Sequence, residues 1–358
     1  MLSPFSLLSV LSGGKSLVPF GNIFTKRTDP TAQGYTSGQL YNYGHLDSVR
    51  TSFTGQYILC SAEANKKLLR SGDFGSTWTT LGSAAIPWLA TQASRGTAIS
   101  ADGAVMYVGS TNGAIYKSTN YGVSWSALST GNIVVAAIDC SADGTQLIWL
   151  RTGTGGGIYR STDGGATISQ IPTGSLNAST IQTKCWNVAL SPDGSKIAVA
   201  ATTWSSATGS AVGIWVSSNN ASTFTNLGTA GISTSAFYAS DVYISDAGDV
   251  WATAGYGINI GAIKYSVATS SWATFSLPLA GQNGITRHGG CSQDMQVMFV
   301  PVQLTNHAYC WYSTDGGATW TRVDSLGQST WLASCVSPDG KLLAVSGTGT
   351  RGDLYISV

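Results

Sequence analysis

Short apolar runs recur along the whole chain, and each follows a small polar turn that begins with serine. The runs lie at 57–60, 105–108, 147–150, 196–200, 250–253, 297–300 and 341–345. The turns start at Ser52, Ser100, Ser141, Ser191, Ser245, Ser292 and Ser337, with steps of 41 to 54 residues. All but one carry glycine in fourth place; the exception is Ser292-Gln293-Asp294-Met295. Runs of this length are too short for helices, and no segment carries a helical period. Asp-Gly between two such runs predicts a tight hairpin, because glycine supplies the positive φ that the turn requires. A repeat of about 40–50 residues built from short strands predicts a propeller.

A second series answers the first. Its members are Ser71-Gly-Asp-Phe-Gly-Ser-Thr-Trp78, Ser118-Thr-Asn-Tyr-Gly-Val-Ser-Trp125, Ser161-Thr-Asp-Gly-Gly-Ala-Thr-Ile168, Ser217-Ser-Asn-Asn-Ala-Ser-Thr-Phe224 and Ser313-Thr-Asp-Gly-Gly-Ala-Thr-Trp320. A shortened relic begins at Ser266 and ends at Trp272. This series resembles the Asp-box, or BNR repeat, of sialidase-type β-propellers. In that reading Asp73, Asn120, Asp163, Asn219 and Asp315 accept backbone N–H bonds inside the turn. Trp78, Trp125 and Trp320 tuck back as structural pegs.

The two series together predict an all-β fold: a seven-bladed β-propeller of four-stranded antiparallel blades. Blade boundaries fall at about 41–82, 86–128, 131–172, 182–228, 235–277, 283–324 and 329–358. In blade six the strands are expected near 289–292, 297–300, 308–313 and 320–323. Blade seven ends where its second-series turn would start, after its third strand. A strand within 17–27 is therefore expected to complete it, closing the ring and removing an exposed sheet edge. The propeller occupies 17–358. Segment 1–16 lacks the basic start and long apolar core of a signal peptide and is too short and serine-rich to span a membrane. It is expected to be a tail that docks on protein neighbours.

Composition narrows the function. Charged residues are 10% of the chain and the formal net charge is +1, against the roughly 25% usual for globular domains. Such a surface does not attract nucleic acid, and membrane insertion is not expected. The six cysteines form no Cys-x-x-Cys and lie on or beside strands, which predicts buried free thiols. The three histidines, His45, His288 and His307, lack metal spacing. No metal site or cofactor is expected.

Both turn series fall on one face of the ring. The other face carries the longer loops, including 202–210, 255–261, 282–289 and 301–307, and loops on a rigid scaffold carry binding groups. Trp204, Tyr256, Arg287, His288, Arg151, Trp88 and Trp331 are the ligand-binding candidates there, with packing between blades as the competing role for Trp88 and Trp331.

The resemblance to sialidases implies three arginines, a Tyr–Glu nucleophile pair, an acid/base aspartate and a Phe/Tyr-Arg-Ile/Leu-Pro motif. That motif is absent, and the chain holds a single glutamate, Glu63. A general glycosidase needs two facing carboxylates, about 5–10 Å apart, and no such pair is legible. No catalytic residue is assigned. The repeat also resembles non-catalytic seven-bladed propellers, of the photosystem II assembly-factor type and of virus particles. Three functions stay open. The first is a non-catalytic module of an extracellular or virion assembly (decoration, fibre or receptor-binding protein) that presents its loop face to glycan or protein. The others are an exo-glycosidase of sialidase-like class and an intracellular assembly chaperone.

Overall fold

The computed structural model describes residues 24–26, 48–62, 67–91, 94–110, 114–128, 135–151, 156–172, 176, 185–202, 212–234, 237–257, 261–279, 284–304, 308–327, 331–347 and 354–357. Segment 1–16 and Trp204 lie outside them. The described chain forms seven antiparallel sheets, each except that of blade seven running outward from the axis in chain order. Blade one is typical, with strands Val49–Thr51, Ile58–Ala62, Lys67–Ser71 and Thr79–Leu81. Among the described residues helix is confined to two short 3-10 segments, Pro87–Ala90 and Asp324–Leu326.

The core sits between blades. Central strands are buried on both faces and so read as continuous apolar runs rather than alternating ones. Ile148, Leu150 and Ile158 of blade three pack with Val188, Val199 and Trp215 of blade four. Equivalent clusters fill the other seams. All six cysteines are buried.

The ring closes as the repeat count requires. Thr25–Lys26 pairs antiparallel with Leu354–Ser357, in register Thr25 to Ile356 and Lys26 to Tyr355. It thereby becomes the outer strand of blade seven.

First-series turns are built on their serines. Ser100, Ser141, Ser191, Ser292 and Ser337 each donate Oγ–H to the aspartate two residues on, at 2.5–2.6 Å. Each also accepts the backbone N–H five residues on, at 2.9–3.0 Å. The sixth turn places Met295 at φ 55, where the other six have glycine. Second-series turns are equally self-contained. Ser71 Oγ accepts Gly75 N–H at 2.9 Å and donates to Asp73 Oδ1 at 2.8 Å. Asp73 also accepts Thr77 N–H at 2.8 Å and Thr77 Oγ1–H at 2.7 Å. Ser161 with Asp163, and Ser313 with Asp315, repeat this pattern. Asn120 and Asn219 take the aspartate's acceptor role towards the residue four places on. Trp78 and Trp125 donate Nε1–H back to the turn carbonyls of Gly75 and Gly122 at 3.0 Å. The relic in blade five is a plain hairpin, Gly261–Ser266 with Ser271–Ser276, and Trp272 reaches instead to Leu227 O of blade four.

Blade six departs from the expected strands. Its second strand runs Met298–Leu304, longer than the 297–300 expected, so much of 301–307 is not loop. Its inner strand is split into Gly284–Thr286 and Gly290–Cys291, and 282–289 therefore contains a strand as well. Pro301 explains the break. In an antiparallel ladder a residue's N–H and C=O face the same neighbour. Pro301 O accepts Arg287 N–H at 2.9 Å, so its missing N–H also faces the inner strand, and one ladder bond there cannot form. The chain leaves the ladder over Arg287, His288 and Gly289. Within 255–261, Tyr256–Gly257 forms a short strand on the free edge of Gly284–Thr286, tying blade five to blade six.

Candidate functional site

Alternate residues of a strand share a face, so side chains two and four places before each turn serine form two tiers near the axis. In the tier next to the turns the chemistry-bearing residues are Arg50, Asp139 and Tyr243. In the tier towards the loops they are Asn187, Asp241 and His288. The remaining positions in the turn-side tier are alanine, glycine or cysteine.

The loop-side tier is one chain of polar side chains. Asn187 Nδ2–H donates to Asp241 Oδ1 at 2.9 Å and to Ser240 O at 3.0 Å. Asp241 Oδ2 lies 2.8 Å from His288 Nδ1 and has no other partner. The imidazole proton therefore belongs on Nδ1, which leaves Nε2 as the acceptor nitrogen of a side chain 26% exposed. Thr253 Oγ1 fixes the strand carrying the aspartate, accepting Ser240 N–H at 3.0 Å and Asp241 N–H at 3.1 Å. Ser334 Oγ–H donates to His288 O at 2.6 Å and holds the broken strand of blade six against blade seven. Arg287 is clamped by Gln303 through Nε and Nη2.

The turn-side tier lines an axial chamber of about 110 Å3 to which all seven blades contribute. Asp139 is held by the fold: Oδ1 accepts Cys140 N–H and Oδ2 accepts Leu190 N–H, both at 2.9 Å. Burial nevertheless pushes its carboxyl up to about 6, opposed by those amides and by Arg50. Burial also raises Tyr243 above the ordinary tyrosine range. Burial acts to lower Arg50, but Tyr243 and the carboxylates of Asp241 and Asp139 reverse this and hold it above its usual value.

The sequence-predicted binding residues are only partly brought together. Arg287 and His288 are adjacent at the break in blade six. Tyr256 lies on the strand that pairs with Ile285, beside them in the sheet; its side chain is outside the described residues. Arg151 ends the strand Leu147–Arg151 in blade three, away from this group. Trp88 packs edge-on against Tyr116 at 6.3 Å. Trp331 is 1% exposed and meets Tyr355 edge-on at 5.6 Å, so it is a core side chain. Among the described residues, no three His, Cys, Asp or Glu side chains gather to hold a metal ion.

Arg50, Asp139, Tyr243, Asn187 and Asp241 were not singled out from sequence as ligand-binding candidates. The signal lay in the repeat itself. Aligned on their turn serines, the seven inner strands show charged or aromatic residues two places back in blades one, three and five only.

No protein-family model matches the chain, and no curated protein matches it. Solved structures do. A GH74 enzyme from Niastella koreensis aligns with a TM-score of 0.66 at 14% identity, over 93% of this chain and 53% of the enzyme. The chain thus spans about half the length of that enzyme. YCF48 bound to D1 peptide aligns at 0.61 and 14% identity, over 89% of this chain and 96% of YCF48. YCF48 from Cyanidioschyzon merolae aligns at 0.60 and 15% identity, over 90% and 99%. At these identities the likeness establishes the fold alone: the chain is a seven-bladed β-propeller of a kind found both in GH74 enzymes and in YCF48.

Proposed function

We propose that the chain is a non-catalytic binding propeller, a component of a larger extracellular or virion assembly, whose loop face takes a glycan or protein at the axis. The residues assigned to contact are His288 through Nε2, Arg287, and the loop aromatics Tyr256 and Trp204. The observation that carries this reading is the state of the two axial carboxylates. Both oxygens of Asp139 accept backbone amides, while Asp241 accepts Asn187 Nδ2–H on one oxygen and faces His288 Nδ1 at 2.8 Å with the other. A glycosidase needs one carboxyl free to protonate the leaving oxygen and a second to act as base or nucleophile. Here the pair orients strands and a histidine instead. The low charge of the chain supports a place in a crowded assembly. One propeller of similar fold is bound to a peptide.

The test is a glycan array that includes xyloglucan oligosaccharides, since another propeller of similar fold is a xyloglucanase. Both retention and product mass are read. Retention with intact glycans, lost in His288→Ala, supports the proposal. A cleaved product overturns it in favour of a hydrolase.

A further inference from the structure

The turn-side chamber is walled mainly by apolar side chains, among them Phe53, Ile99, Val188, Val242 and Ile244. Into this wall is set the guanidinium of Arg50. An arginine carries five N–H donors. Arg50 spends one on Val49 O at 3.2 Å and forms no ion pair among the described residues. None of its nitrogens is sealed off without a partner, and the residue lines the chamber. The one carboxylate in the same wall, Asp139, is turned to the backbone amides of Cys140 and Leu190. An apolar pocket with a few convergent polar groups is the usual form of a small-ligand site.

We infer that this chamber binds a carboxylate group, gripped by Arg50 with Tyr243 beside it and its short carbon stem against the apolar wall. Three observations select this chemistry. The planar guanidinium fork matches a carboxylate in bidentate geometry. The volume of about 110 Å3, below the roughly 150 Å3 that accommodates benzene, suits an inserted group of about five non-hydrogen atoms. Charge selects a monoanion, because Asp139 and Asp241 already act on Arg50 and a phosphate dianion would double the repulsion. The group has two sources: a small free acid, or the tip of a glutamate or aspartate from a partner chain seated on the turn face.

The inference does not rest on loop-face binding, because the chamber lies at the other end of the axis. Sodium propionate is titrated into the full chain carrying 15N-labelled arginine, reading side-chain Nε–H shifts, with sodium chloride as control. A saturable shift of the Arg50 signal that chloride does not reproduce is expected. Arg50→Gln should abolish the heat of propionate binding in calorimetry. Ala142→Leu narrows the mouth and leaves Arg50 in place, which covers the case in which Arg50→Gln fails to fold; it too should abolish binding. A parallel titration with an amidated Gly-Glu-Gly peptide separates the sources, tighter binding than propionate marking a partner side chain. No saturable shift with either probe, an equal response to chloride, or binding undiminished in Ala142→Leu overturns the inference. A negative glycan array leaves it standing.

Discussion

Asp139 and the turn aspartates respond to pH in opposite directions. Burial raises Asp139 from 3.8 to about 6. A group raised in the folded state contributes its stability in full below the unfolded value and loses it as pH climbs through the folded value. The loss between about pH 4 and 6 is on the order of 2 kcal/mol. Asp163 is lowered to about 2, first by the Thr167 hydroxyl and amide. Asp193 is lowered to about 2 as well, since bonds from Ser191 and Ser195 outweigh the effect of burial. Their stabilisation is present above 3.8 and disappears as pH falls to 2. Melting temperature should therefore peak near about pH 4. Asp139→Asn should flatten the decline from there to neutrality and leave the acid limb unchanged; an unaltered decline would show that another group causes it. The turn serines are a separate lever. Ser71→Ala removes the acceptor for Gly75 N–H inside a buried turn and should lower stability by about 1–3 kcal/mol, measured by urea unfolding.

Among the elements, the closing strand carries the clearest consequence. Thr25–Lys26 covers the edge of Leu354–Ser357, and an uncovered edge invites pairing with another chain. Removal of 1–27 should lower the melting temperature and produce aggregates on light scattering. Removal of 1–16 alone should leave melting unchanged and abolish assembly if that segment docks on neighbours. A folding defect in the shorter deletion would refute the docking role. Closure was legible in the sequence because blade seven visibly lacks its last strand and the turn before it. The tight turns were legible for a related reason: serine, aspartate and glycine spacing is local, and the bonds of Ser161 and Asp163 stay within seven residues. Blade six was not legible. Its split depends on a ladder bond that Pro301 withholds from a strand about a dozen residues earlier, and sequence periodicity does not register which neighbour a missing N–H would have faced. The axial tiers were hidden likewise: Asp241 and His288 lie 47 positions apart in sequence and meet only because the ring brings blades five and six together.

At the scale of the ring, a belt of hydrogen bonds on the turn face joins successive blades at six of the seven seams among the described residues. Phe53 N–H donates to Ala101 O, Ala101 N–H to Ala142 O, Ala142 N–H to Pro192 O and Gln293 N–H to Pro338 O, all at 2.7–2.8 Å. Two of the seven belt positions are proline, which has no N–H to pass on. At Pro338 the next residue substitutes, Asp339 N–H donating to Phe53 O at 3.1 Å. At Pro192 the next residue again substitutes, but Asp193 N–H goes to a side chain, Asp246 Oδ1, at 2.8 Å. Blades five and six have no belt bond among the described residues; Tyr256–Gly257 joins them on the opposite face. Blade five is thus held on its two sides by different devices, and the belt bond to blade four ends on one carboxylate, that of Asp246. Asp246→Ala should speed hydrogen exchange at the Asp193 amide and lower stability by about 0.5–1 kcal/mol, the worth of an exposed hydrogen bond. Asp246→Asn keeps an oxygen in place and relieves the like charge that Asp193 exerts on Asp246, so it should hold exchange at the wild-type rate. If both variants exchange alike, the belt at this seam is carried by something other than the Asp246 oxygen.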